Sequence, residues 1–157
     1  MKITLLLVGK TTENYLNEAV SEYLKRLKRY ITFELVVIPE LKNTKNISCE
    51  QQKEKEGLAI LSAIETSDEV ILLDERGLEY SSVEFASFIE KKGLNSVKRL
   101  IFVVGGPYGF SREVYARANG QVSLSQMTFS HQMIRLFFVE QIYRAMTILK
   151  GEPYHHV

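Results

Sequence analysis

Ile101-Phe102-Val103-Val104-Gly105-Gly106-Pro107-Tyr108-Gly109 is the stretch on which the fold of this chain turns. An unbroken apolar run rich in β-branched residues marks a strand covered on both faces, since a strand with one wet face alternates apolar with polar. The run breaks into glycines and a proline, and Ser111 then caps a short helix with Glu113 close behind. Strand, glycine turn and helix in succession is the unit from which parallel sheets are built.

Working outward, the same reading recurs. Ile3 to Val8 is a second continuous apolar run ending in Gly9, Phe33 to Ile38 a third stopped by Pro39, and Val70 to Asp74 a fourth ending in Glu75-Arg76-Gly77. Gln121 to Leu124 is a short fifth. Between them lie helical patterns. Tyr15, Leu16, Ala19, Val20, Tyr23, Leu24 and Leu27 recur three and four apart within Glu13 to Tyr30. Ser48 with Gln51 or Gln52 caps a helix from about Cys49 to Ile64, whose charged first half is expected to be exposed. Ser81 or Ser82 opens another through Phe85, Phe88 and Ile89 to near Gly93. The last runs from about His131 to Lys150 and stops at Gly151 and Pro153. Such alternation predicts one α/β domain over 1–157, with a mostly parallel sheet and helices on both faces.

Composition narrows the class. The 45% hydrophobic and 25% charged residues of this 157-residue chain suit a globular protein and exclude a disordered one. No apolar run is long enough for a membrane span, and the N-terminal run reads as a buried strand rather than a signal peptide. Cys49 is the single cysteine, so neither disulfides nor a cysteine metal cluster is expected, and a cytoplasmic location fits. A net charge of +1 argues against coating nucleic acid by bulk electrostatics. The basic cluster Lys25, Arg26, Lys28, Arg29 reads first as a solvated helix face that suits the helix dipole, with an RNA-phosphate contact as the minority reading.

In open parallel sheets ligands bind beyond the carboxyl ends of the strands. Three ends are informative: Leu73 to Gly77, Gly105 to Gly109, and Leu124 to Ser130. Taken alone, the glycine run reads equally as a tight turn needing unusual dihedrals, and Ser125 to Ser130 reads first as an ordinary loop; the glycine run is neither a dinucleotide fingerprint nor a P-loop. Ser130-His131 lacks a nucleophile elbow, and His131 reads as capping or packing at the helix start. On the last helix Met133, Ile134, Leu136, Phe137, Phe138, Val139, Ile142, Tyr143, Met146, Ile148 and Leu149 surround the axis, which predicts burial on all sides and a homodimer through this helix. Glu140 and Arg144, four apart, form a favourable helical pair, and charges on so apolar a helix are buried only when paired or used. His155-His156 point apart in an extended tail and do not make a metal site.

Taken together, these segments resemble a known family. Met1-Lys2-Ile3 with Val8-Gly9-Lys10, the run Val103 to Gly109, Leu124-Ser125-Gln126-Met127-Thr128-Phe129-Ser130-His131-Gln132-Met133-Ile134-Arg135, Glu140-Gln141-Ile142-Tyr143-Arg144-Ala145 and Pro153-Tyr154-His155 are similar to the RlmH family. These are pseudouridine N3-methyltransferases of the large ribosomal subunit, in the SPOUT superfamily, and the likeness spans the chain. It implies a C-terminal trefoil knot, against the general rule for threaded chains, a homodimer, and S-adenosylmethionine held by the knot loops. Family cofactor positions fall on Leu73, Gly106, Ser125, Gln126, Met127, Thr128, Phe129 and Ser130. Candidates for handling the acceptor proton or orienting the base are Glu140, Tyr154 and His155, with the tail of one subunit completing the site of the other. His156 departs from members that carry Arg after the tail histidine. The resemblance makes ribosomal RNA, on the assembled ribosome, the expected partner, with no metal. The alternative is a non-catalytic RNA- or ribosome-binding protein on the same scaffold. A nucleotide phosphotransferase or hydrolase is remote, since neither a P-loop nor a carboxylate cluster for magnesium is present.

Overall fold

The computed structural model describes residues 1–156; Val157, at the end of the tail, lies outside them. The strands are β1 (Lys2–Val8), β2 (Thr32–Ile38), β3 (Glu69–Glu79), β4 (Arg99–Val104) and β5 (Gly120–Ser123). The helices are α1 (Asn14–Leu27), α2 (Cys49–Ser62), α3 (Ser82–Leu94), α4 (Arg112–Arg117) and α5 (Met133–Leu149). The strands form one sheet in the order β2-β1-β4-β3-β5, and every pairing is parallel.

Both faces of the sheet are covered, which is why its strands read as continuous apolar runs. Ile3, Leu5 and Leu7 of β1 and Leu100, Phe102 and Val104 of β4 point to one side, where α1, α3 and α5 close a core around Phe85 and Phe138. Leu6, Val8, Ile101 and Val103 point to the other, against Ile60 of α2 and Val114 of α4. The alternation is the two-residue period of a strand, satisfied twice.

Helix starts follow their caps. Ser48 accepts from Gln51 N while Gln51 reaches back to Ser48 N, and Ser81 and Glu84 do the same for α3. In α1, Lys25 and Arg26 lie in the last turn, where the helix dipole favours them. Arg26 pairs with Glu22 at 3.2 Å and lies over the Tyr23 ring.

Two expectations need correction. The charged half of α2 is not wholly exposed, because Glu56 is buried against the loop after β4 while Leu58 faces solvent at 65% exposure. And Glu75-Arg76-Gly77 does not end its strand. β3 bulges there and resumes, so that Leu73 and Leu78 both lie opposite Val122. Gly77 makes this possible: a Cβ at this position would lie 2.7 Å from the backbone of Gln121 and Val122. Backbone cannot move aside as a side-chain tip can. Gly77→Ala is therefore expected to cost about 2 kcal/mol, as overpacking does, read as a lower thermal midpoint; an unchanged midpoint would show that the β3–β5 crossing is loose.

The order of strands places the chain's later segments. β5 is an edge strand and α5 starts beside β1, so residues 124–132 must pass across the carboxyl ends of β3 and β4. Arg135 anchors the arrival. It is fully buried, and donates to the carbonyls of Val8 and Gly9 and to Thr11 Oγ1, each at 3.0 Å. Gln132 adds a bond to Lys10 O at 3.1 Å and accepts from Thr12 N at 2.9 Å.

Candidate active site at the strand ends

β4, β3 and β5 are neighbours in the sheet, so the three singled-out strand ends meet. They enclose a cleft of about 530 Å³. One wall is Leu73 to Arg76, the second Gly105 to Tyr108, the third Leu124 to His131, with Ile134 of α5 at the base. Leu73, Gly106, Ser125, Met127, Thr128, Phe129 and Ser130 all line it. Gln126 does not. Ser125 Oγ accepts from Met127 N at 3.0 Å, a tight side-chain turn that leaves Gln126 exposed at its middle.

The walls are tied together by polar contacts. Thr128 Oγ1 donates to Glu75 Oε2 at 2.5 Å, joining the third wall to the first. The Tyr115 hydroxyl donates to Asp74, joining α4 to the first. Burial, followed by the bond to Asp74, holds the Tyr115 phenol above its usual range, so it stays a donor. Ser130 Oγ accepts from Met133 N at 3.0 Å and so satisfies a free N–H at the start of α5, while His131 lines the cleft.

Gly106 shows how close the packing is. A Cβ here would lie 2.3 Å from Glu56 Oε1, and one at Gly105 would lie 3.0 Å from the Phe110 ring. A wall with no side chain presents its backbone groups to whatever fills the cleft.

Glu140, Tyr154 and His155 are brought together, but elsewhere. None of them lines the cleft. Arg144 Nη2 donates to Glu140 Oε1 at 2.5 Å, and the Tyr154 hydroxyl donates to the same oxygen at 2.9 Å. Gln141 Nε2 donates to the other oxygen at 3.2 Å. The helical pair expected from the spacing exists, with the tail folded over it. Tyr154 stacks edge-on against Tyr143 at 4.8 Å, and the Arg144 guanidinium lies 4.8 Å from the Tyr154 ring centre. Burial, with Tyr23 and Glu140 adding, pushes the Tyr154 phenol far up, so it remains protonated. Arg144 Nη1 lies 3.0 Å from His155 Nδ1. Arginine can only donate, so Nδ1 accepts and the histidine carries its proton on Nε2.

Sequence reasoning singles out Glu140 and Arg144 among the charges of α5 and assigns no role to Arg135, nor to Glu56, Asp74 or Tyr115. For Arg135 a signal was present: it is a third charge on a helix apolar all round. For the other three no local pattern distinguishes them from surface residues.

Among the described residues, no helix is long and apolar enough to cross a membrane, and no group of three or more His, Cys, Asp or Glu is placed to hold a metal. Residues 1–155 match the family model described as "Predicted SPOUT methyltransferase". The chain belongs to the SPOUT methyltransferase family. That membership implies the C-terminal knot of the family, with the segment crossing the strand ends as part of it. Relatives agree along the full length. The "Ribosomal RNA large subunit methyltransferase H" of Bacteroides thetaiotaomicron is 61% identical over 157 residues, covering 99% of each chain. The proteins of the same name from Parabacteroides distasonis and Porphyromonas gingivalis are 60% and 56% identical over 156 residues, again covering 99% of each chain.

Proposed function

We propose that this protein transfers a methyl group from S-adenosylmethionine to N3 of a pseudouridine in large-subunit (23S) ribosomal RNA, acting as a homodimer on the assembled ribosome. The observation that carries the reading is the convergence of three strand-end loops on one glycine-walled cleft in a SPOUT chain. The names of its relatives support the class of acceptor. A cytoplasmic location goes with such a substrate.

The residues fit the cofactor. The cleft joins apolar Leu73, Leu124 and Ile134 to the backbone of the glycine loop, and Leu73, Gly106, Ser125, Met127, Thr128, Phe129 and Ser130 would hold the ligand, largely through main-chain groups. When bound, it supplies a methyl group already activated on a sulfonium. What remains for the protein is to align donor and acceptor and to take the imide proton as the new N–C bond forms. His155 presents its Nε2 proton and so orients the acceptor base through a carbonyl, while the Tyr154 hydroxyl, which donates to Glu140, holds that carboxylate in place. Glu140 is the carboxylate of their cluster able to take the proton.

Since this cluster stands apart from the cleft of its own chain, the tail of one subunit serves the cleft of the other. The outer face of α5 supports an interface, with Phe137 and Leu149 39% and 38% exposed. Phe129 of the third wall packs on Phe137 at 5.0 Å, which links that face to the cleft. A protein of net charge +1 has little nonspecific hold on RNA, and a large, shaped target compensates.

The test is calorimetric titration with S-adenosylmethionine, repeated on Gly106→Trp. Micromolar-range binding by the wild type is expected, lost in the variant because a side chain at Gly106 runs into the Glu56 carboxylate and forces the glycine loop, one wall of the cleft, out of place. No binding by the wild type would sink the cofactor reading and leave a ribosome-binding protein on the same scaffold.

A further inference from the structure

Behind the glycine wall of the cleft lies a charge with no counter-charge. Glu56 is only 5% exposed. Its Oε2 accepts from Gln52 Nε2 at 3.2 Å, and its Oε1 has no partner. Burial holds its carboxyl above the usual range, with the bond from Gln52 opposing. Two glycines bring the carboxylate where it is. At Gly57 a Cβ would lie 2.3 Å from Ser111 Oγ, so α2 approaches α4 as closely as it does only with glycine there. At Gly106 a Cβ would meet the carboxylate itself, 2.3 Å from Oε1 and 2.8 Å from Cδ. Gly106 lines the cleft and Glu56 does not, so one layer of backbone separates the carboxylate from a ligand.

A buried carboxylate without an ion partner weakens a fold, and an apolar side chain of similar volume packs the same space without that cost. The neighbours do not supply the missing charge. Gln52 is neutral and Glu40 is of the same sign; the basic group that acts on it is His131, which itself lines the cleft. The unmatched negative charge therefore looks toward the cleft.

We propose that Glu56 sets the preference of this site for a sulfonium cofactor over its thioether product. The inference rests on the cofactor reading given above. S-adenosylmethionine and S-adenosylhomocysteine differ by one methyl group and one positive charge, so a fixed negative charge behind the wall attracts the first and is indifferent to the second. Once the methyl group has left, the attraction ends and the product is released more readily. Through one layer of backbone, such a charge pair is worth roughly tenfold in affinity.

Calorimetric titration of the wild type, Glu56→Gln and Glu56→Met with each ligand, at one pH and salt concentration, tests this. The wild type is expected to bind both ligands, the sulfonium more tightly. Both variants are expected to weaken S-adenosylmethionine about tenfold while moving S-adenosylhomocysteine less than about twofold. Glutamine keeps the shape and methionine removes the polar group altogether, so one uncharged variant folds even if the other does not. An unchanged ratio, or an equal loss for both ligands, would overturn the assignment and leave Glu56 as packing for the loop. A wild type that binds neither ligand would overturn the cofactor reading, and this inference with it.

Discussion

Arg135→Ala is expected to lower the stability of the fold by about 3–5 kcal/mol, the sum of two buried carbonyls left unpaired and the cavity beside them. The side chain is wholly buried, and its four bonds run to the carbonyls of Val8, Gly9 and His131 and to Thr11 Oγ1. None of these acceptors is charged. The guanidinium is there for its fork of donors, which joins the start of α5 to the exit of β1 across the strand ends. Alanine would leave two strand-end carbonyls unpaired in the interior and a cavity beside them. Burial holds the Arg135 pKa below its ordinary value, with Glu40 opposing, which marks how far the site is desolvated. For a chain of this size the loss corresponds to a fall in thermal midpoint on the order of 10 °C. Arg135→Lys is expected to lie between the two, since a single ammonium cannot reach all four acceptors. A midpoint within about 2 °C of wild type for the alanine variant would show that α5 is held by its apolar face alone.

His155→Ala is expected to reduce methyl transfer by about 100-fold or more, within the range of a lost proton-handling or orienting group, while cofactor affinity stays near that of the wild type. The ring does not line the cleft, and its anchor is Arg144, so the loss is specific to the acceptor side. Mixing makes the stronger test. Gly106→Trp spoils a cleft and His155→Ala spoils a tail. If tails serve the partner's cleft, co-refolded mixtures contain dimers in which one intact cleft meets one intact tail, and activity returns to about a quarter of wild type for random two-fold pairing. Mixtures as inactive as their parents would place the tail's action within its own chain, or remove it from the reaction.

What could be read in advance follows from how local the cause is. β1 and β4 were legible because a strand buried on both faces has no room for a polar residue, and Ile3 to Val8 and Ile101 to Val104 carry almost none. Ser48 and Ser81 were legible because a cap and its box lie within four residues. The three strand ends were legible as candidates, since each run breaks where the apolar pattern stops. Their meeting in one cleft was not, because it depends on β3 lying between β4 and β5.

The sequence by itself determined an α/β chain with a parallel sheet, its glycine-walled turn after β4 and, through a likeness spread over its length, its family. Tertiary structure alone decided three matters: the bulge in β3 around Gly77, the burial of Glu56 and Arg135, and the folding of Tyr154 and His155 onto Glu140 and Arg144. The reason is the same in each case. A glycine in a strand, a glutamate in a run of charges or an arginine on a helix has the same local pattern whether it meets water or backbone. Only the approach of a second segment, distant in the chain, settles which of these it meets.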